Sequence, residues 1–278
     1  FLEEISLMTD VDNLDELAEE CQRILNTEES EKLDELYRLG GTSGGARPKV
    51  MMEMDGEPWI IKFPAHVDRA DIGKMEYDYY LCAEQCGITM SECNLFPSDK
   101  CSGYFGTKRF DRKNQHGEME RVHMLTVAAL LELDFEQPVL DYQDLMKLTK
   151  IITNNSPEDL ENMYRRMCFN VYAHNRDDHA KNFSFLYEEE KKCWRLSPAY
   201  DLTYSTTYYG EHTTAVAGNG KNPGSKELIF VGTQAGLSKE KCRSIAVENA
   251  NFRHFFLYHF AAITLTLILA FTPFWATA

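Results

Sequence analysis

The sequence predicts an α+β chain of two lobes, a small strand-containing lobe followed by a mainly helical one. Three observations carry that prediction. Asp55-Gly56 splits two apolar runs, 48–54 and 57–63, which is a hairpin signal. Apolar residues at helical spacing dominate residues 121–174. Between them, residues 112–120 are polar enough to act as a hinge or linker. The expected boundaries are 1–115 for the first lobe, 116–250 for the second and 251–278 for an apolar tail. Many α+β proteins share this order, so function must be argued from particular residues.

Composition narrows the classes. A hydrophobic fraction of 44 % and a charged fraction of 26 % describe a folded globular chain rather than a disordered one. A net charge of −15 repels phosphate backbones, so strong direct binding of nucleic acid is not expected. The acidity is densest before residue 32, as on a solvated helical face. The eight cysteines form no C-x-x-C pair; Cys82 and Cys86 have core spacing on a helix, while Cys93 and Cys101 leave a zinc site open. No signal peptide opens the chain, which points to a reduced cytosolic protein. Phe1 in place of Met points to a fragment or a processed chain.

The elements follow in order. Residues 10–38 read as two helices, and Gly40-Gly41-Thr42-Ser43-Gly44-Gly45 as a loop where positive φ is permitted. After the hairpin, Asp71–Gln85 reads as a helix stopped by Gly87, and Tyr104–Phe110 as a strand. Ser156-Pro157 starts a further helix, with Ser as N-cap and Pro at the first position. Phe183–Tyr187 and Cys193–Leu196 form a second hairpin. From Phe255 the chain is almost wholly apolar. That stretch fits a buried terminal helix, a membrane anchor or a non-native tail, and the abrupt change in composition favours the last.

The chemistry concentrates in His174-Asn175-Arg176-Asp177-Asp178-His179-Ala180-Lys181-Asn182. Phosphoryl transfer needs a carboxylate near the acceptor hydroxyl and a metal-binding amide a short loop away. Protein kinases meet this with D-x-x-x-x-N, the spacing of Asp177 and Asn182. Asp201, beyond the second hairpin, is placed to be the second metal carboxylate, and such an oxygen pair suits Mg²⁺. Lys62, on the strand Trp59–Phe63, is placed to reach ATP phosphates, and Glu76 to hold it by an ion pair. The loop ahead of the hairpin offers backbone N–H groups, at Gly44 and Gly45 among others, to a phosphate, although it is neither G-x-G-x-x-G nor a Walker A loop. Taken singly, these residues also fit ordinary turns, a flexible connector, a strand-edge Lys and a surface Glu.

With these passages in order over residues 38–240, the sequence resembles the HipA family. The resemblance rests on 40–49, Trp59–Pro64, Met75-Glu76-Tyr77, Lys108–Arg112, Asn175–Phe183 and Pro198–Leu202. It implies a protein-kinase-like fold of the phosphoinositide-kinase branch and a Mg²⁺/ATP-dependent Ser/Thr kinase toxin of the bacterial cytoplasm. It implies a DNA-binding HipB-type helix-turn-helix antitoxin as partner and an aminoacyl-tRNA synthetase as target. By position, Asp177 is the base, Asn182 and Asp201 bind Mg²⁺, Lys62 binds ATP, and His179 and Lys181 support the loop or the phosphates. Self-phosphorylation of the Gly-rich loop falls on Thr42 or Ser43. The N-terminal subdomain that usually precedes this region is missing, and the tail from about 248 departs from the family. A small-molecule or lipid kinase on the same scaffold, or an inactive antitoxin-binding partner, are the competing readings.

Overall fold

A computed structural model of the chain describes residues 14–25, 47–115, 118–133, 140–207 and 210–260, with backbone alone at 24, 25 and 252–260. The second predicted N-terminal helix, the Gly-rich loop and the tail beyond 260 lie outside the described residues.

The first lobe is built on one sheet. β1 (Lys49–Met54) and β2 (Glu57–Lys62) pair antiparallel, and the turn residues Asp55 and Gly56 sit at φ 52° and 77°. That left-handed pair matches the right-handed twist of the strands, which is why Asp-Gly marks the turn so well. β4 (Tyr104–Lys108) pairs with β2, and β3 (Cys93–Phe96) completes the order β1-β2-β4-β3. Alternation along the strands buries Val50, Met52, Trp59 and Ile61 against Leu14, Leu17 and Ala18 of α1 (Leu14–Leu25). Helix α2 (Ile72–Gln85) crosses close to the loop ahead of β4. A Cβ at Gly73 would lie 2.3 Å from the Gly103 carbonyl oxygen, so glycine is what allows this approach.

The second lobe packs four helices around one core. They are α4 (Tyr142–Ile152), α5 (Pro157–Tyr172), α6 (Ser225–Ala235) and α7 (Lys239–Phe260), after the single turn α3 (Val127–Leu130). Leu145, Met146, Met163, Met167, Val231 and Ile245 are among the side chains that fill it. Ser156 caps α5 as its sequence predicts, accepting from the Asp159 N–H at 3.3 Å, with Pro157 at the first position. β7 (Met124–Thr126), β8 (Ser184–Glu188) and β9 (Cys193–Leu196) form a three-stranded sheet in that order, so the predicted second hairpin is present.

The lobes are joined by packed side chains. Tyr79, Cys82 and Ala83 of α2 share a cluster with Phe169, Ala199 and Leu202 of the second lobe. The Tyr79 hydroxyl donates to the Ala173 carbonyl at 2.9 Å, and the Ala199 N–H to the Thr89 carbonyl at 2.8 Å.

The predicted linker is a structured hairpin instead. β5 (Arg112–Gln115) pairs with β6 (Glu118–Arg121). Apart from the exposed Met119 its residues are polar on both faces, so no apolar alternation announced the strands. Among the described residues no helix is long and apolar enough to cross a membrane.

Candidate active site

The end of β2 carries Lys62. The pleat that buries Ile61 turns Lys62 to the other face of the sheet, where its side chain keeps 15 % of its surface exposed. Its Nζ donates to Glu76 Oε1 at 2.6 Å and also to Asp201 Oδ1, and it stands 5.6 Å from the centre of the Phe105 ring. Burial pulls the Lys62 pKa down, but the Asp201 and Glu76 carboxylates outweigh it and hold the ammonium above its usual range. Glu76 reaches Lys62 from the buried face of α2, which the close approach at Gly73 brings against the sheet.

Asp201 comes from the other lobe. The segment after β9 is anchored by Arg166, a buried arginine of α5 that donates to the Ser197 carbonyl. Burial draws the Arg166 pKa down to about 10, so the guanidinium stays charged at neutral pH. Four residues past Ser197, Asp201 adopts φ 53°, an uncommon conformation for a residue with a Cβ. Lys62 holds its carboxyl below the usual range against the opposing effect of burial, and Lys49 and His179 add to the attraction.

The loop 174–182 leads from α5 to β8. Asn182 Nδ2 donates to the Asp177 carbonyl at 2.8 Å, so the amide closes the loop on the residue five before it. The Asp177 side chain is 58 % exposed. His179 Nε2 stands 3.9 Å from Asp177 Oδ1, while its Nδ1 is buried without a hydrogen-bond partner. Lys181 is exposed on the 3-10 turn Ala180–Asn182, and its carbonyl accepts from the Tyr200 hydroxyl at 2.7 Å, one residue before Asp201.

Lys62, Glu76 and Asp201 are thus in direct contact, and Asp177, His179 and Asn182 share one short loop. The Tyr200 hydroxyl on the Lys181 carbonyl ties that loop to the segment carrying Asp201. Thr42, Ser43, Gly44 and Gly45 lie outside the described residues. A narrow cleft opens beside Lys62 and Glu76, with Tyr80, Met90, Phe105 and Leu202 among its walls.

Two sets of residues escaped the sequence reading. Lys49 lies directly opposite Lys62 in the hairpin register. Burial lowers its pKa, while Asp201 and Glu76 pull the other way. Counting outward from Asp55-Gly56 would have found it, since the turn sets the register. Like charges facing each other across strands are unfavourable unless anions meet them. Arg47 adds another cation nearby, bound to Asp68 at 2.8 and 3.2 Å.

The second set is a buried network under the loop. Asp178 is 1 % exposed, so it is not the simple turn residue its neighbours would allow. Its Oδ2 accepts from the Tyr142 hydroxyl at 2.9 Å and stands 3.0 Å from His212 Nδ1, and its Oδ1 accepts from the Thr214 N–H at 3.1 Å. Asn170 donates to Tyr142 at 2.8 Å, and Asn175 donates to Asn170 at 3.0 Å. These partners lie far apart in sequence, and no local pattern announces them.

The family model for the HipA-like C-terminal domain matches residues 41–253, well over half of the chain. The chain belongs to that family. A relative from Sinorhizobium fredii (strain NBRC 101917 / NGR234), named "Putative kinase Y4dM", is 28 % identical over 178 residues, which is 59 % of this chain and 42 % of that protein. The chain therefore spans less than half the length of that relative. Among solved structures, it is similar to a chain of the Shewanella oneidensis MR-1 toxin–antitoxin complex of HipA, HipB and operator DNA. The TM-score is 0.67 at 17 % identity, covering 95 % of this chain and 67 % of that one. It is also similar to the Helicobacter pylori proinflammatory kinase CtkA, with a TM-score of 0.50 at 14 % identity, covering 77 % and 90 %. The fold is therefore the protein-kinase-like one that the sequence led us to expect.

Proposed function

We propose that the chain is the catalytic part of a Mg²⁺/ATP-dependent Ser/Thr protein kinase. The observation that carries the reading is Lys62, held between a carboxylate from each lobe at the mouth of the inter-lobe cleft. Family membership and the kinase name of the Sinorhizobium relative agree with a phosphotransferase.

The residues fit the groups this reading requires. Asn182 uses its Nδ2 on the Asp177 carbonyl, which leaves the amide oxygen, a metal-type donor, for a cation. Asp201 engages Lys62 through one oxygen and is 43 % exposed, so it can serve a second partner. Two protein oxygens completed by phosphate and water suit Mg²⁺, which would neutralise phosphate charge when bound. Lys62 and Lys49 present cations to the phosphates, and Glu76 keeps Lys62 in place. Asp177, exposed at the loop tip, accepts the proton of the attacking hydroxyl. His179 and Lys181, both ahead of Asn182, support the loop or the ATP phosphates.

The acceptor is a Ser or Thr hydroxyl of a protein, with an aminoacyl-tRNA synthetase as the target the family resemblance favours. Thr42 or Ser43 is the candidate for self-phosphorylation. The Shewanella neighbour was solved with HipB and operator DNA, which supports a HipB-type partner for this chain. In this reading residues 1–115 form the nucleotide-binding lobe and 116–250 the catalytic lobe, and the protein works in the bacterial cytoplasm.

The test is incubation of the chain and its Asp177→Ala variant with Mg²⁺ and labelled ATP. Both should gain thermal stability, about 2.7 kcal/mol at a ligand concentration 100 times Kd, and only the parent should transfer label. Stabilisation without transfer in either would favour a binding role instead.

A further inference from the structure

Helix α5 grips both of the segments that deliver carboxylates to Lys62. Glu76 lies on α2, and the chain leaves that helix through a connector, residues 86–90. Asn162 Nδ2 donates into the connector twice, to the Gly87 carbonyl at 3.3 Å and to Thr89 Oγ1 at 3.1 Å. Arg165 adds a bond to the Cys86 carbonyl at 2.8 Å. One turn along α5 from Asn162, Arg166 donates from Nε to Asn162 Oδ1 at 3.0 Å. Its Nη2 donates to the Ser197 carbonyl, at the head of the segment that leads to Asp201.

The two segments also touch each other. The Ala199 N–H donates to the Thr89 carbonyl at 2.8 Å, and Met90 forms a parallel bridge with Ala199. A chain of bonds therefore runs from the end of α2 through Asn162 and Arg166 to Ser197, and the contact of 89–90 with Ala199 closes it into a ring.

The links are chemically suited to fix a spacing. The two ends of the Asn162 amide serve different partners, donating to the connector and accepting from Arg166. The guanidinium is a planar fork with fixed donor directions, so Asn162 and Ser197 are held at a set angle. Arg166 is 1 % exposed, and its Nη1 is buried without a hydrogen-bond partner. Burying an incompletely paired cation costs stability, and an apolar side chain of similar volume is often as good or better. The use of Arg166 therefore lies in what it holds.

We propose that Asn162 and Arg166 are positioning residues that set the separation of Glu76 and Asp201 across Lys62. The Lys62 ammonium lies between these two carboxylates, one from each lobe, so a shift of either segment loosens a contact. The consequence for nucleotide binding rests on the kinase reading above; the geometric claim does not.

The geometric claim is tested without nucleotide, by reductive methylation of the free chain and its Asn162→Ala variant. Mass spectrometry gives the rate at Lys62 relative to Lys147, which is 68 % exposed on α4. Loss of a carboxylate contact frees the amine and lowers its proton affinity, and both effects speed its reaction. The relative rate at Lys62 should rise about threefold or more, the size of coupling expected within one bonded network. Asn162→Asp keeps an acceptor for Arg166 but cannot donate to the connector, so it should show the same rise. In an Asp201→Asn background, where the contact is already weakened, Asn162→Ala should add little. An unchanged rate, or a rise just as large in that background, overturns the proposal, the second because general loosening would act in both.

The consequence is read from binding of Mg²⁺·ATP, which Asn162→Ala should weaken by a similar factor. Faster labelling with unchanged nucleotide affinity overturns the positioning role for the reaction. A parent that neither binds nor turns over ATP overturns the kinase reading and that role with it, while the labelling rates still decide whether the ring sets the carboxylates on Lys62.

Discussion

The two ends of the site are built on opposite plans. Around Lys62 the charged groups open to solvent on the Asp201 side: Asp201 is 43 % exposed, and a ligand can compete for its contact with Lys62. Around Asp178 the charged and polar groups are sealed: the Asp178 side chain shows no exposed surface, the His212 side chain 2 %, and each Asp178 oxygen has a partner. Open ion pairs contribute little to stability but can be exchanged. Closed networks contribute through what would be left unpaired if one member went. The molecule therefore places exchangeable charge where the proposed nucleotide would enter and fixed charge beneath the loop that carries Asp177.

That contrast is sharpest at adjacent residues, Asp177 and Asp178. The largest expected effect is on transfer. Asp177→Ala should lower phosphoryl transfer by roughly 10²–10⁴-fold, the range for loss of a positioned base. Melting temperature should hardly move, because the side chain is 58 % exposed and stands as far as 3.9 Å from His179 Nε2. Equal losses of stability and activity would break the distinction between the two aspartates.

Asp178→Ala should do the reverse. It strands the Tyr142 hydroxyl, the Thr214 N–H and His212 in a buried space, so roughly 2–4 kcal/mol of stability should go, read by urea or thermal unfolding. Asp178→Asn keeps an acceptor and should recover part of it. In the recovered variant nucleotide affinity should stay near that of the parent, since the Asp178 carboxylate is engaged by Tyr142, His212 and Thr214 rather than by Lys62. A drop in nucleotide affinity larger than the drop in transfer would show that the network serves the nucleotide rather than the loop.

How far each end was legible follows from the same contrast. The open end is local: Asp55-Gly56 sets a register, and Lys62 and Glu76 lie on elements whose periods are visible. Asp177 and Asn182 were singled out because their spacing is a motif. The Asp178 network joins residues 28 to 36 positions apart through a loop, 210–220, that has no periodicity to read. β3 and β7 were missed because strands of four and three residues carry too few alternations. The 112–121 hairpin was missed because its exposed faces carry no apolar signal.

The smallest expected effect is electrostatic and concerns only the open end. The Asp201 carboxyl is held below its ordinary range chiefly by Lys62. Such a group binds fewer protons folded than unfolded at moderately acid pH, so its contribution is present above the unfolded value of about 3.9 and fades as pH falls through the folded value. Lys62 gives the opposite sign. Its folded pKa is raised, so its contribution is complete below about 10.4 and is lost only in stronger alkali, as pH rises through the folded value. Between pH 5 and 9 neither group should give a pH-dependent difference in stability between the parent and Asp201→Asn. Below pH 4 the two unfolding curves should draw together as Asp201 protonates in the parent. Solvent reaches Asp201, so added salt should shrink the whole difference. The Asp178→Asn difference, arising in a sealed network, should be nearly insensitive to the same salt, and a salt dependence shared by both variants would erase the contrast between the two ends.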